Sequence, residues 1–499
     1  MQSRRISCNL IANIFGNAWS AVMGLAFVPL YIKFMGVEAY GLIGIFVSLQ
    51  AIFAVLDLGL SQTLAREMAR LSVLTTGRRQ MADIAQTLEI IYWVFALLVG
   101  SILALCANFI ANFWLKPDQL SFEAIRNALW IMALVIALRW PLTLYIGGMN
   151  GLQRQVSLNV LLAFFATFQG VGAVLVLWLL EPSIETFFIW QAFSSALQVL
   201  AIRHGFWRAM PVIIGRFSLS ILNGVWRFAL SMTGISLLAA VLTQLDKLIL
   251  SRMLSLEQFG FYVFASTVAS VLFRVVSPIF TAFLPRYTQL VSSGDYESLK
   301  SDYRRGGQIM ALALVPAGCV LALFSQNILM LWTQNEELVR NSYVLVGVLV
   351  LGNMFNGFVN IPYAIQLAYG WTRLALVQNV LAVIVVVPAL FFAVRVFGGL
   401  GAAMVWVGLN FLFLVFGVST MHRKLLVGEG RHWYFQTVIC PLVIGATVAL
   451  LAFFFVPMPH GMIWVFILLT LIFLVVLFSV FLSLPIGRHS LSLLLERVA

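Results

Sequence analysis

Apolar residues run through this chain in long blocks, and polar residues are confined to the short intervals between them. Fourteen blocks of about 20 residues or more stand out, near 9–32, 40–64, 87–113, 126–149, 157–180, 184–203, 223–251, 259–284, 308–332, 341–366, 374–397, 401–421, 434–456 and 462–484. A helix of about 20 residues crosses the ~30 Å hydrocarbon core of a bilayer. That core holds no water to take up backbone hydrogen bonds, so open strands are excluded there. The pattern predicts an all-α integral membrane protein of about 14 transmembrane helices.

The intervals also repeat. Lys33-Phe-Met-Gly36-Val-Glu38-Ala-Tyr40-Gly41-Leu42 aligns without a gap to Arg252-Met-Leu-Ser255-Leu-Glu257-Gln-Phe259-Gly260-Phe261, at an offset of 219 residues. A second pair agrees: Gly151-Leu-Gln-Arg154 before Asn159, and Gly370-Trp-Thr-Arg373 before Asn379. Two matches at nearly one offset indicate a duplicated half. Six blocks separate the copies, an even number, so the two halves insert the same way up. Parallel repeats of this kind are related by an axis along the membrane normal. The expected organisation is a six-helix lobe over 1–203, a linker over 204–222, a second six-helix lobe over 223–425, and helices 13 and 14 with a tail over 426–499. Pro141 and Pro362 fall at nearly matching repeat positions, inside helices 4 and 10. Such prolines either bend between two conformations or impose static curvature.

Composition sharpens the class. Of 499 residues, 62% are hydrophobic and 10% charged, and mean hydropathy is +1.01. Soluble domains carry roughly 25% charge. The first apolar block is too long for a secretory signal and has no small-residue cleavage site, so a retained first helix is expected. Cys8, Cys106, Cys319 and Cys440 sit singly in apolar stretches and read as buried small hydrophobes. No Cys/His cluster has metal-ligand spacing.

The net charge of +12 raises the question of nucleic acid, and its distribution answers it. With Met1 on one side, that side carries 21 of the 30 basic residues, the other side carries six, and three lie inside spans. This asymmetry is the positive-inside pattern. It places both termini in the cytoplasm, and no nucleic-acid partner is expected. The partners expected are the bilayer and a substrate carried through it.

Several activities lack their residues. There is no D-x-D motif, no phosphate-binding G-x-x-x-x-G-K-[ST], and no sizeable loop on the basic-poor side. A non-enzyme is expected: a transporter, a channel or a membrane scaffold.

Five ionisable residues within spans are singled out: Asp57, Arg139, Asp246, Lys247 and Arg274. Each costs roughly 2.5–3.5 kcal/mol at a helix centre. Arg139 and Arg274 fall near mid-depth, one per lobe. A guanidinium fork holds phosphate or carboxylate at two points. The pair is therefore the candidate site for an anionic head group, and an internal ion pair with Asp57 or Asp246 is the alternative. Asp57, Asp246 and Lys247 lie nearer span ends and are candidate cavity or ion-coupling charges. No bound cofactor is expected, only proton or sodium coupling through such carboxylates.

One family shares these patterns. The run Phe27-x-Pro29-x-Tyr31-x-x-x-Met35-Gly36-x-Glu38-x-Tyr40-Gly41, then Leu56-Asp57-Leu58-Gly59-Leu60-Ser61 and Arg66-Glu67, resembles bacterial Wzx-type polysaccharide transporters. These belong to the multidrug/oligosaccharidyl-lipid/polysaccharide exporter superfamily. Asp246-Lys247-Leu248-Ile249-Leu250 is similar to the second half of that family, and the resemblance covers about residues 8–425. It implies two six-helix bundles facing each other in a V, in the bacterial inner membrane. It implies alternating access that flips an undecaprenyl-diphosphate-linked oligosaccharide from the cytoplasmic to the periplasmic leaflet, for O-antigen, capsule or exopolysaccharide synthesis. A glycan polymerase or glycosyltransferases would be partners. Two other readings stay open: a lipid II-type flippase, whose last two helices line a groove for the lipid tail, and a cation-coupled multidrug antiporter.

Overall fold

The computed structural model describes residues 2–54, 57, 59–72, 74, 77–210, 213, 215–219 and 243–488; side chains are described from Asn13 onward, except that of Ile14. Among these residues there is no strand. Helices α1 (Gln2–Ala26), α2 (Val28–Ala54), α3 (Leu60–Leu71), α4 (Gly77–Phe109, widening into a π-turn over Ile110–Trp114), α5 (Phe122–Gly151), α6 (Gln155–Leu179) and α7 (Ile184–Ala209) come first. A helix over 243–253, α8, follows. Then come α9 (Leu256–Ala269), α10 (Val271–Ser293), α11 (Tyr296–Leu323), α12 (Ser325–Thr333), α13 (Glu336–Ala368), α14 (Arg373–Leu412), α15 (Val418–Lys424), α16 (Glu429–Trp433), α17 (Cys440–Phe455) and α18 (Met462–Ser483).

Among the described residues, ten continuous helical runs are long and apolar enough to cross a membrane. Some of these runs are more than one crossing. The run Arg373–Lys424 has 52 residues. At about 1.5 Å per residue it is far longer than a ~30 Å core requires. It breaks at Gly398, whose φ of 58° and ψ of −138° no L-residue adopts without strain. The break separates the two predicted spans 374–397 and 401–421. Gly36 (φ 84°, ψ 169°) likewise divides α2 and ends the first span inside the repeated motif. The second motif copy breaks at the matching position, Ser255, between α8 and α9. The described helices thus accord with fourteen segments. Of the seventh, only residues 243–253 and not 223–242 lie within the description.

The predicted span 40–64 is interrupted. α2 ends at Ala54, and α3 starts after Gly59, which is left-handed (φ 74°). Asp57 therefore sits between α2 and α3, in a 3-10 turn and not in an α-helix.

The chain falls into two compact units, Met1–Gly260 and Phe261–Ala499. The boundary lies within α9, beyond the 204–222 stretch expected as the linker.

In the first unit, Leu64, Leu88, Leu144, Ile202 and Phe206, from α3, α4, α5 and α7, share one core and are each 6% exposed or less. The two motif copies also meet inside this unit. A methyl group on Gly41 would lie 2.6 Å from the carbonyl oxygen of Leu256, and one on Gly260 would run into the carbonyl oxygen of Val37. Only glycine allows this approach. The Glu38 carboxylate accepts three backbone N–H bonds, from Asp118 (2.7 Å), Gln119 (2.8 Å) and Leu120 (3.0 Å). The same loop reaches the second copy: Leu256 N donates to Lys116 O at 2.9 Å, and Lys116 Nζ donates to Met253 O at 3.1 Å.

In the second unit, Arg304 grips Glu429 through Nε and Nη2 at 2.7 and 2.6 Å. Tyr303 and the His422 ring meet at 2.9 Å beneath Trp433. These contacts tie α11 to α15 and α16. Asn353 and Asn356 of α13 bind Trp406 Nε1 and Asn410 of α14, at 2.9 and 2.8 Å.

Candidate functional site

Arg139 lies close to the middle of α5, in a partly buried setting. Its Nε donates to Ser195 Oγ at 2.8 Å and its Nη2 to Gln191 Oε1 at 2.6 Å, both on α7. Gln169 Oε1 of α6 is 3.5 Å from Nη2, and Gln169 in turn donates to Gln198 at 2.9 Å. The guanidinium lies 5.5 Å from the centre of the Phe46 ring. Every one of these partners is neutral. The expected alternative, an ion pair, is not formed: no carboxylate pairs with Arg139 among the described residues. Buried charges are normally paired. Amides and hydroxyls orient this one and leave its positive charge uncancelled.

Asp57, the proposed partner, has other company. Its Oδ2 accepts from Ser61 Oγ at 2.7 Å, and its Oδ1 accepts from Tyr92 Oη and from Thr143 Oγ1 at 3.4 Å. Three hydroxyls from α3, α4 and α5 therefore surround one carboxylate, with no cation among the described residues.

Arg274 belongs to the second unit. It stands at the middle of the helical run Leu256–Ser293, is exposed, and makes no hydrogen bond or ion pair among the described residues. Lys247 lies in α8 and lines a cavity of the first unit with its neighbour Leu248. Asp246 is partly buried beside it. Within the first unit, Arg139 and Asp57 are each held by neutral groups and not by each other.

A sixth charged residue was not singled out from the sequence. Glu89 sits inside the predicted span 87–113 and is 4% exposed. It accepts from Tyr145 Oη (2.6 Å), Arg203 Nε (2.6 Å) and Trp207 Nε1 (3.1 Å). It stands two residues into the apolar block 87–113. Arg203, which closes the next-but-two block, was its partner in plain sight. Among the described residues no group of His, Cys, Asp and Glu could hold a metal ion.

Long apolar helices, some broken at glycines and two carrying an arginine near mid-length, are those of a multi-pass membrane protein. Solved structures agree on the fold. The lipid II flippase MurJ, in an inward closed conformation, superposes with a TM-score of 0.67 over 95% of this chain and 97% of its own, at 13% identity. A mutant of the Vibrio cholerae MATE transporter VcmN gives 0.61 over 87% and 99%, at 12% identity. A Shigella flexneri protein, provisionally named as an O-antigen transporter, is 21% identical over 399 residues, covering 80% of this chain and 93% of its own length. The polysaccharide biosynthesis protein family matches residues 32–335, more than half of the chain, and the chain belongs to that family.

Proposed function

We propose that this protein flips a diphosphate-linked lipid oligosaccharide across the bacterial inner membrane, from the cytoplasmic to the periplasmic leaflet, by alternating access. The observation that carries the reading is Arg139: a cation at mid-span whose partners are all neutral. A guanidinium held in place but not neutralised is ready for a diphosphate. Arg274 supports the reading from the second unit. An arginine exposed at mid-length faces either lipid, at a cost of several kcal/mol, or a water-filled path. The family and the Shigella relative support a polysaccharide precursor as cargo, and the distribution of basic residues supports both termini on the cytoplasmic side.

The test uses a strain lacking the gene. Lipid-linked oligosaccharide should accumulate there, shielded from a membrane-impermeant reagent applied outside, and should return to normal when the gene is restored. If lipid-linked glycan is unchanged while sensitivity to cationic drugs rises, the antiporter reading replaces this one.

The carboxylate of Asp57 is the candidate coupling group, because three hydroxyls around it suit a carboxylate that exchanges a proton or a cation. Asp246 is the second candidate. Asp57→Asn keeps the size of the side chain and removes its charge. Flipping by that variant in vesicles is expected to continue at a reduced rate and to lose its response to an imposed ion gradient. A retained response would remove Asp57 from the coupling step.

A further inference from the structure

At the Trp114 end of the first unit, α2, α4 and α8 enclose a cavity of about 290 Å³. Ile45, Leu49, Phe109, Ile110 and Phe259 give it an apolar wall. Three polar side chains interrupt that wall: Ser48, Lys247 and Ser251. Ser251 is already satisfied. Its hydroxyl donates to Leu248 O at 2.9 Å and accepts from the Trp114 indole N–H at 3.0 Å. Ser48 is not satisfied: it is 3% exposed, and its Oγ has no hydrogen-bond partner. Lys247 has no ion pair and no hydrogen bond among the described residues. Asp246, its neighbour in sequence, projects about 100° away around the helix.

Two costs therefore stand at one place. An unpaired buried hydroxyl costs about 1–3 kcal/mol. An ammonium set in an apolar wall is destabilising unless it snorkels to a head group or meets an anion. One ligand removes both costs if it brings an anionic oxygen to Lys247 and Ser48 and a hydrocarbon chain to the wall. Inorganic phosphate would leave the apolar wall uncovered, and an alkane would leave the charge unmatched. Depth fits as well, because Trp114 ends its span beside Ser251, and tryptophans gather at head-group level.

We infer that this cavity binds one chain of an anionic phospholipid of the bilayer, with the lipid phosphate on Lys247 and Ser48. Phe259 belongs to the second motif copy, and Ile45 and Ser48 continue the helix of the first. A lipid seated there bridges the two copies where they meet. The site is independent of the transported cargo.

Cys106 also lines the cavity and is exposed, which makes it a reporter. In full-length protein with Cys8, Cys319 and Cys440 replaced by alanine, alkylation of Cys106 by a maleimide is followed in detergent micelles. Phosphatidylglycerol is expected to slow the reaction at least tenfold; phosphatidylcholine, inorganic phosphate and undecaprenyl diphosphate are not. Lys247→Gln should lose the protection and Lys247→Arg should keep it. Equal protection in Lys247→Gln, equal protection by phosphatidylcholine, protection by undecaprenyl diphosphate alone, or no protection at all overturns the proposal. Native mass spectrometry of the chain with its cysteines intact guards against a misfolded alanine variant. One phosphatidylglycerol should be retained by the wild type and lost in Lys247→Gln, and its absence from the wild type overturns the proposal as well.

Discussion

Replacement of Arg139 by glutamine should lower flipping of the lipid-linked oligosaccharide by about 10- to 100-fold while leaving the protein folded. The magnitude follows from the loss of charge-assisted hydrogen bonds to a diphosphate, worth about 1.5–3 kcal/mol. Folding should survive because the partners of Arg139 are Ser195, Gln191 and Gln169, all neutral. Had a carboxylate been the partner, removal of the arginine would have stranded a buried anion at a cost of about 3–5 kcal/mol. A glutamine amide can still donate to the same oxygens. Arg139→Lys keeps the charge but not the two-point fork, and should fall between wild type and Arg139→Gln. The measurement is flipping in proteoliposomes, with thermal unfolding as a control. Wild-type flipping in Arg139→Gln would remove this residue from the substrate path. A collapse of the melting temperature would make its role structural.

The second large effect concerns the glycines of the repeated motif. Two physical terms oppose each other in Gly41→Ala and Gly260→Ala. Helix propensity favours alanine by about 1 kcal/mol within a helix. The close approach opposes it, since the new methyl group meets a backbone carbonyl that cannot rotate away. Overpacking of that kind costs about 1–3 kcal/mol. The contact term should win in both variants, so each should melt below the wild type. The double variant should cost less than the sum of the singles, because either methyl group alone already parts the two copies. A rise in melting temperature in either single variant would show that the contact yields at little cost.

The sequence carried the fold further than the site. Apolar blocks located most of the long helices, because a helix in lipid must be apolar over its whole length. Gly36 and Gly398 fall in the short intervals between predicted spans. The break between Ala54 and Leu60 was harder to place, because it lies inside the predicted span 40–64 and leaves no trace in hydropathy. Asp57 was legible as a costly charge, but its three hydroxyl partners come from three separate helices and share no spacing. For Arg139 the sequence offered an ion pair as the alternative. The structure supplied glutamines instead, and a glutamine in an apolar block attracts little notice. Glu89 is the converse case: it stands near a block's edge in the sequence, yet is nearly fully buried.

The motif contact has a consequence for the chain's origin. Gly41 meets Leu256, and Gly260 meets Val37. Subtracting the offset of 219 turns each contact into the other. In a two-fold symmetric pair of identical subunits, residue i meets j and j meets i. The contact is therefore what a half-length ancestor would make with a second copy of itself, preserved after the two genes became one. Fusion released most positions from the requirement to match: Tyr40 stands opposite Phe259, and Gly36 opposite Ser255. Among the ten aligned positions only the glutamate and the second glycine are still identical. The glycine is the residue at which each motif copy packs against the other.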